Sequence, residues 1–178
     1  MLMRSIVTLM LGAIFCLTGN PALAGGPNLG KPIEPSDIAP WDISIGPEGA
    51  GLPKGSGTAA QGAAIFEEKC ALCHGEHGKG GHAIALVRDD RITDISAAMK
   101  SIPNFWPYAT TLFDYIRRAM PWHMPRSLTG EEAYALTAYI LAENKVIAGN
   151  EPMNAETLPK VKMPNREGFI DRFPERMR

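Results

Sequence analysis

The chain has 178 residues, 45% of them hydrophobic and 21% charged, with 18 basic against 19 acidic side chains and a formal net charge of −1. That near balance argues against nucleic acid binding through bulk charge. The length suits one domain beside a targeting segment, and no internal repeat is visible.

The N-terminus reads as an export signal. Met1 to Arg4 is a short positive start, Ile6 to Leu17 is mostly apolar, and Ala22 and Ala24 give the small-residue cleavage pattern. Cleavage is expected after Ala24, making residues 1–24 a signal peptide. The apolar run is too short and wrongly flanked for a full membrane span; an uncleaved anchor is the competing reading. Cys16 follows Phe15 inside this segment, a poor lipoprotein signal. The expected location is the periplasm, with no stable membrane span after cleavage. Residues 25–57 are rich in Gly and Pro and read as an extended N-terminal arm, with a disordered linker as the alternative. Trp41, Ile43 and Ile45 alternate with polar residues, which points to some docking of this arm onto the domain.

A first helix is predicted from near Thr58, its N-cap, to about Lys69. Gly62 and Phe66 lie four apart and share a face, and a glycine there admits a second helix at close range. Cys70-Ala71-Leu72-Cys73-His74 follows. C-x-x-C-H is the attachment signal for haem c: Cys70 and Cys73 bond covalently to the two vinyl groups, and His74 falls beneath the ring as an axial iron ligand. C-x-x-C alone would also suit half a zinc site or a thiol redox pair, but no second Cys pair exists and a redox pair does not require the His. Signal removal takes away Cys16, so the mature chain has room for one haem, no structural disulfide and no thiolate as second axial ligand.

The iron's other ligand decides much of its chemistry. His77 and His82 sit in a Gly-rich loop and read as solvent-facing or near a haem propionate. Met99 reads as packing. Pro103, Trp106, Tyr108 and Trp122 form a candidate wall that excludes water from the haem, though each is also ordinary core material. A second helix is predicted over Thr111 to Ala119, with Leu112, Tyr115 and Ile116 inward; Arg117 and Arg118 read first as a solvated face. Met120-Pro121 and Met124-Pro125 then compete as sources of a thioether ligand, with His123 between them as a bis-His alternative. Met120 stands eight residues before Leu128 and leaves the chain more room to depart before the last helix.

The last helix is the clearest. Thr129 and Glu132 form a capping box, and Ala133, Leu136, Tyr139 and Ile140 follow helical spacing to an end near Asn144. Tyr139 is placed to pack on Gly62 and Phe66. Beyond Gly149 the chain is irregular again and locally basic, an arm that wraps the domain, reaches a partner or frays.

From Thr58 to Ile147 the chain resembles a class I cytochrome c: a Gly-x-x-x-Phe helix, C-x-x-C-H at its end, a later Met-Pro, and a C-terminal helix bearing an aromatic. Longer blocks are similar to the cytochrome subunits of bacterial sulfane and sulfite dehydrogenases. They are Asn104 to Ile116 with Arg118-Ala119-Met120-Pro121, Gly46 to Pro53 upstream, and Leu158 to Arg166 downstream. One departure is that the sulfane dehydrogenase subunit is typically dihaem, whereas one haem motif is present here. The resemblance implies an all-α class I cytochrome c fold, a small helical domain around one covalent haem, with extended N- and C-terminal arms. The expected boundaries are 25–57 for the first arm, 58–147 for the domain and 148–178 for the second arm. It also implies Met120, the Met of Arg-Ala-Met-Pro, as the second axial ligand, with Met124 the alternative. The function implied is single-electron transfer from a molybdenum sulfite or sulfane dehydrogenase to a downstream cytochrome or oxidase. The alternatives are a haem enzyme acting directly on a sulfur compound, similar to a thiosulfate dehydrogenase, and a haem sensor or structural subunit.

Overall fold

The computed structural model describes residues 30–89 and 100–170. The expected signal segment, Cys16, Met99 and the last residues of the basic tail lie outside the described residues. The chain divides into two units, Met1–Trp41 and Asp42–Arg178. In the first, a short helix α1 (Pro35–Ile38) has proline in its first turn and a capping box closed by Glu34 N–H donating to Asp37 Oδ2 at 2.9 Å.

The second unit is built on α2 (Ala59–Lys69), α3 (Ala71–His74), a 3-10 turn at Glu76–Gly78, α4 (Ile102–Phe105), α5 (Ala109–Ala119) and α6 (Gly130–Glu143). Both long terminal helices start as their sequences dictate. Gln61 N–H donates to Thr58 Oγ1 at 3.4 Å and Thr58 N–H to Gln61 Oε1 at 2.9 Å. In α6, Glu132 N–H donates to Thr129 Oγ1 at 3.2 Å while Thr129 N–H donates to Glu132 Oε2 at 2.8 Å. Each box satisfies amides that a helix start would otherwise leave orphaned.

Helices α2 and α6 cross at van der Waals distance because glycine faces the crossing twice. A Cβ on Gly62 would collide with the Ala135 carbonyl and lie 2.7 Å from Tyr139 Cβ; one on Gly57 would collide with the Ala135 amide and lie 2.8 Å from its Cβ. Phe66 and Tyr139 stack beside the crossing, ring centroids 5.1 Å apart. Lys69 Nζ reaches Glu132 Oε1 at 2.6 Å and ties the far ends together. Helix α5 packs on α6 through Leu112, Phe113 and Ile116, all buried, with Phe113 and Tyr134 rings 4.4 Å apart.

Two details of α5 differ from expectation. It begins at Ala109 rather than Thr111, without a side-chain cap. Tyr115, expected inward, is 49% exposed while Phe113 is fully buried; the inner stripe runs through positions 112, 113 and 116, leaving 115 at its margin.

The two irregular segments meet. β1 (Ser56–Gly57) pairs antiparallel with β2 (Met153–Asn154), Ser56 opposite Asn154 and Gly57 opposite Met153. Upstream, Ile45 and Leu52 pack against the core, Tyr134 donates its hydroxyl to Pro53 O at 2.9 Å, and Thr110 Oγ1 donates to Pro47 O at 3.2 Å. Downstream, Met153, Leu158 and Met163 are buried. Asn165 Nδ2 donates to Phe105 O at 2.7 Å, and the Arg166 guanidinium lies 4.2 Å from the Tyr108 ring centre. The fold class is helical, as read from sequence, with one short β pair that two-residue strands leave no periodicity to reveal. Among the described residues no helix is long and apolar enough to cross a membrane.

Candidate functional site

The C-x-x-C-H segment occupies the end of α2 and the whole of α3. Cys70 caps α2, its amide donating to Phe66 O at 2.8 Å, so the end of that helix fixes where both cysteines sit. Cys70 is half-buried and Cys73 exposed, and they form no disulfide with each other. Burial pushes the Cys70 thiol up to about 11, against the pull of Lys69 and with a smaller push from Cys73. Leu72 between them is 86% exposed.

Beside α3 opens a cleft of about 160 Å³. Three parts of the chain wall it. His74 and the strip Ile84-Ala85-Leu86 form one side; Ser101, Ile102 and Trp106 form another; Leu112, Tyr115, Ile116 and Met120 from α5 and its end, with Ile140 of α6, form the rest. The lining is hydrocarbon except for His74, Ser101, the Trp106 and Tyr115 polar tips and the Met120 thioether.

His74 has a fixed orientation. Its Nδ1 lies 3.0 Å from Ile84 O; a carbonyl only accepts, so Nδ1 carries the proton and Nε2 is the free nitrogen, as in metal-binding imidazoles. The segment that follows Ile84 is tied to the last helix. Asn144, the C-cap of α6, donates through Nδ2 to Leu86 O at 3.1 Å and accepts from Arg88 N–H through Oδ1 at 3.1 Å. Asn144 was legible only as a helix end; its hold on residues 86 and 88 is a contact across the fold for which the sequence carries no local signal.

Met120 is the C-cap of α5, its amide donating to Ile116 O at 3.1 Å, and the Met120–Pro121 peptide is cis. The cleft brings Met120 and His74 into one lining. It does not include Met124, 56% exposed, nor His123, also exposed. His82 is exposed as well. His77 is tied to the last helix, its Nδ1 3.2 Å from Glu143 Oε2 and 3.4 Å from the Tyr139 hydroxyl.

The aromatic wall is a correction. Of Pro103, Trp106, Tyr108 and Trp122, only Trp106 lines the cleft, edge-on to Tyr115 with centroids 5.7 Å apart. Tyr108 is covered by Arg166, Pro103 is buried within α4, and Trp122 is 84% exposed. Trp122 and His123 follow Met120–Pro121 in a short surface turn, closed by Met124 N–H donating to Pro121 O at 2.9 Å, which turns them out of the core. Arg118 Nη2 donates to both carboxylate oxygens of Asp114 one helical turn back, at 2.7 and 3.0 Å, so it belongs to the surface of α5.

These residues fit a haem c. Cys70 and Cys73 stand directly before His74 on the same short helix turn, an imidazole with its proton on the outer nitrogen and a soft thioether share the cleft's lining, and the remaining walls are mostly hydrocarbon. A further mark of a missing neighbour is Ser101 Oγ, buried in this wall without a hydrogen-bond partner. Among the described residues no three His, Cys, Asp or Glu side chains converge as a site for a bare metal ion.

Residues 57–140 match the family model described as cytochrome c oxidase, cbb3-type, subunit III. The fold is similar to a chain in the crystal structure of the sulfane dehydrogenase SoxCD from Paracoccus pantotrophus. The two are 33% identical with a TM-score of 0.74, and the match covers 85% of this chain and 75% of that one. No curated protein matches the chain.

Proposed function

Given a chain that belongs to the c-type cytochromes, proteins of electron transfer built on haem c, we propose that it is a periplasmic monohaem carrier of single electrons for a molybdenum sulfite or sulfane dehydrogenase. The carrying observation is that His74 and Met120 line one apolar cleft beside Cys70 and Cys73. When bound, haem c supplies a one-electron iron couple. The chain does the rest. Cys70 and Cys73 tether the group through thioethers. His74 Nε2 and the Met120 sulfur would hold the iron, so that the group serves electron transfer and not substrate binding. A thioether favours the reduced iron and raises the potential. Ile84, Leu86, Ile102, Trp106, Leu112, Ile116 and Ile140 keep water away, which tunes the couple through a low local dielectric.

The choice of donor rests on likeness to the SoxCD chain. At 85% of this chain, that likeness covers more than residues 57–140 matched by the family model. The export signal and the single C-x-x-C-H motif support the periplasmic and monohaem parts of the reading.

The test is haem quantitation on the secreted, full-length protein, followed by stopped-flow reduction with a sulfite or sulfane dehydrogenase and its substrate. One haem per chain and rapid reduction that needs the dehydrogenase are expected. Turnover of thiosulfate by the cytochrome alone would overturn the carrier reading, and two haems per chain the monohaem one.

A further inference from the structure

Ser101 is out of character with the wall it belongs to. It is 3% exposed and stands beside Ile102 and Trp106 in the lining of the cleft. Its backbone is satisfied: the amide donates to Asn104 Oδ1 at 2.7 Å and the carbonyl accepts from Phe105 N–H at 3.0 Å. Its hydroxyl is not, having no partner of hydrogen-bonding geometry. Ser101 does face the Asn104 amide across the start of α4 in a capping-box arrangement. That approach would use an acceptor position of the hydroxyl and still leave its proton without an acceptor.

A buried donor left unmade is costly, and native interiors seldom keep one. The acceptor is therefore to be sought in what fills the cleft. Around it the lining offers little: His74 Nδ1 carries a proton and cannot accept, its Nε2 is the nitrogen read as the iron ligand, the Tyr115 hydroxyl makes no hydrogen bond to Ser101, and a thioether sulfur accepts weakly. A haem offers one strong kind of acceptor at its rim, the propionate carboxylates, and hydrogen bonds to an ionised acceptor are the stronger class.

Resting on the haem reading above, we propose that Ser101 Oγ donates its proton to a haem propionate. Ser101 is then a positioning residue: it holds that carboxylate inside the protein and disperses part of its negative charge. Undispersed, that charge favours ferric iron, so the hydroxyl raises the reduction potential.

The test compares Ser101→Ala with Ser101→Thr in the haem-loaded full chain, by resonance Raman of the propionate-bending band and by potentiometry. Ser101→Ala shifts the band and lowers the midpoint potential; Ser101→Thr, which keeps the hydroxyl, leaves both close to the unaltered protein. An unmoved band in Ser101→Ala overturns the proposal, since the hydroxyl would then be bonded to water or to nothing. Equal shifts in Ala and Thr overturn it as well, because shape alone would account for them. Should Ser101→Ala fail to load haem, Ser101→Cys, similar in size and a weak donor, is expected to shift the band in the same sense, and no shift there counts against the proposal. The weak red-edge absorption of His/Met ferric iron in the unaltered protein is read separately. Its absence would refute Met120 as ligand and leave the Ser101 result to stand alone.

Discussion

At His74 a single backbone carbonyl decides which nitrogen faces the cleft. With Nδ1–H engaged by Ile84 O, Nε2 is free for iron, and the imidazole needs no rearrangement to bind. Met120 has a comparable anchor as the last residue hydrogen-bonded into α5, which sets the depth at which its side chain enters. Met120→Ala is expected to abolish the red-edge absorption and lower the potential by on the order of 0.1 V, a fraction of the roughly 0.8 V over which axial ligands move such couples. Met124→Ala is expected to change neither, because Met124 projects to solvent. Retention of the red-edge band in Met120→Ala would assign the ligand elsewhere. Cys70, Cys73 and His74 could be read from sequence because their chemistry demands a fixed local spacing. Ile84 and Ser101 could not. One acts through a backbone carbonyl, which has no residue signature, and the other through a missing partner, which shows only once the surroundings are built.

Elements were legible wherever their start signals are local. Thr58 and the Thr129–Glu132 pair place α2 and α6 almost to the residue. Helix α5, lacking a side-chain cap, was placed two residues late. Gly62 was singled out for close approach; Gly57 was not, since it precedes the helix and belongs to a strand too short to carry a pattern. The Lys69–Glu132 pair between α2 and α6 was likewise invisible in sequence. The hydrogen bond from Lys69 is the main cause that lowers the Glu132 carboxyl below its usual 4.5, and the same bond raises Lys69 above 10.5. A depressed carboxylate stabilises the fold above its unfolded value and loses that contribution as pH falls through the folded one. A raised ammonium stabilises below its unfolded value and loses the contribution as pH rises through the folded one. Glu132→Gln keeps the capping box, since Gln serves at that position, and removes the ion pair. Its expected cost at pH 7 is up to about 1 kcal/mol by chemical denaturation, as for partly exposed pairs. The gap from the unaltered protein should close as pH drops below 4.5. A gap that persisted at low pH would place the effect in packing instead.

At the scale of the whole molecule, the helical domain around the cleft was legible, and its flanking segments only in part: Ile45 packs on the core as its alternation with polar residues suggests, while Trp41 is 72% exposed. Read as irregular arms, residues 42–57 and 153–166 both contribute to the second unit: Leu158 and Met163 are buried against the helices, and Asn165 and Arg166 grip the segment that bears Trp106. Gly and Pro content records that a stretch is not helical, and says nothing about whether isolated apolar residues within it find a core. Leu158→Ala is expected to cost about 3 kcal/mol in equilibrium unfolding of the haem-loaded protein, as for other large-to-small changes in cores. A change within 0.5 kcal/mol would mean that the segment is detached in solution.

The pairing of Ser56 with Asn154 has a consequence for biogenesis. Its two strands are separated in sequence by helices α2 to α6, so loop-closure entropy disfavours it until those helices have docked. A chain emerging N-terminus first would complete the cysteine motif, the methionine and the last helix while Gly57 still lacked its strand partner. The β pair therefore works as a clasp that fastens last, and a truncated product ending before Met153 would present an open seam to quality-control proteases.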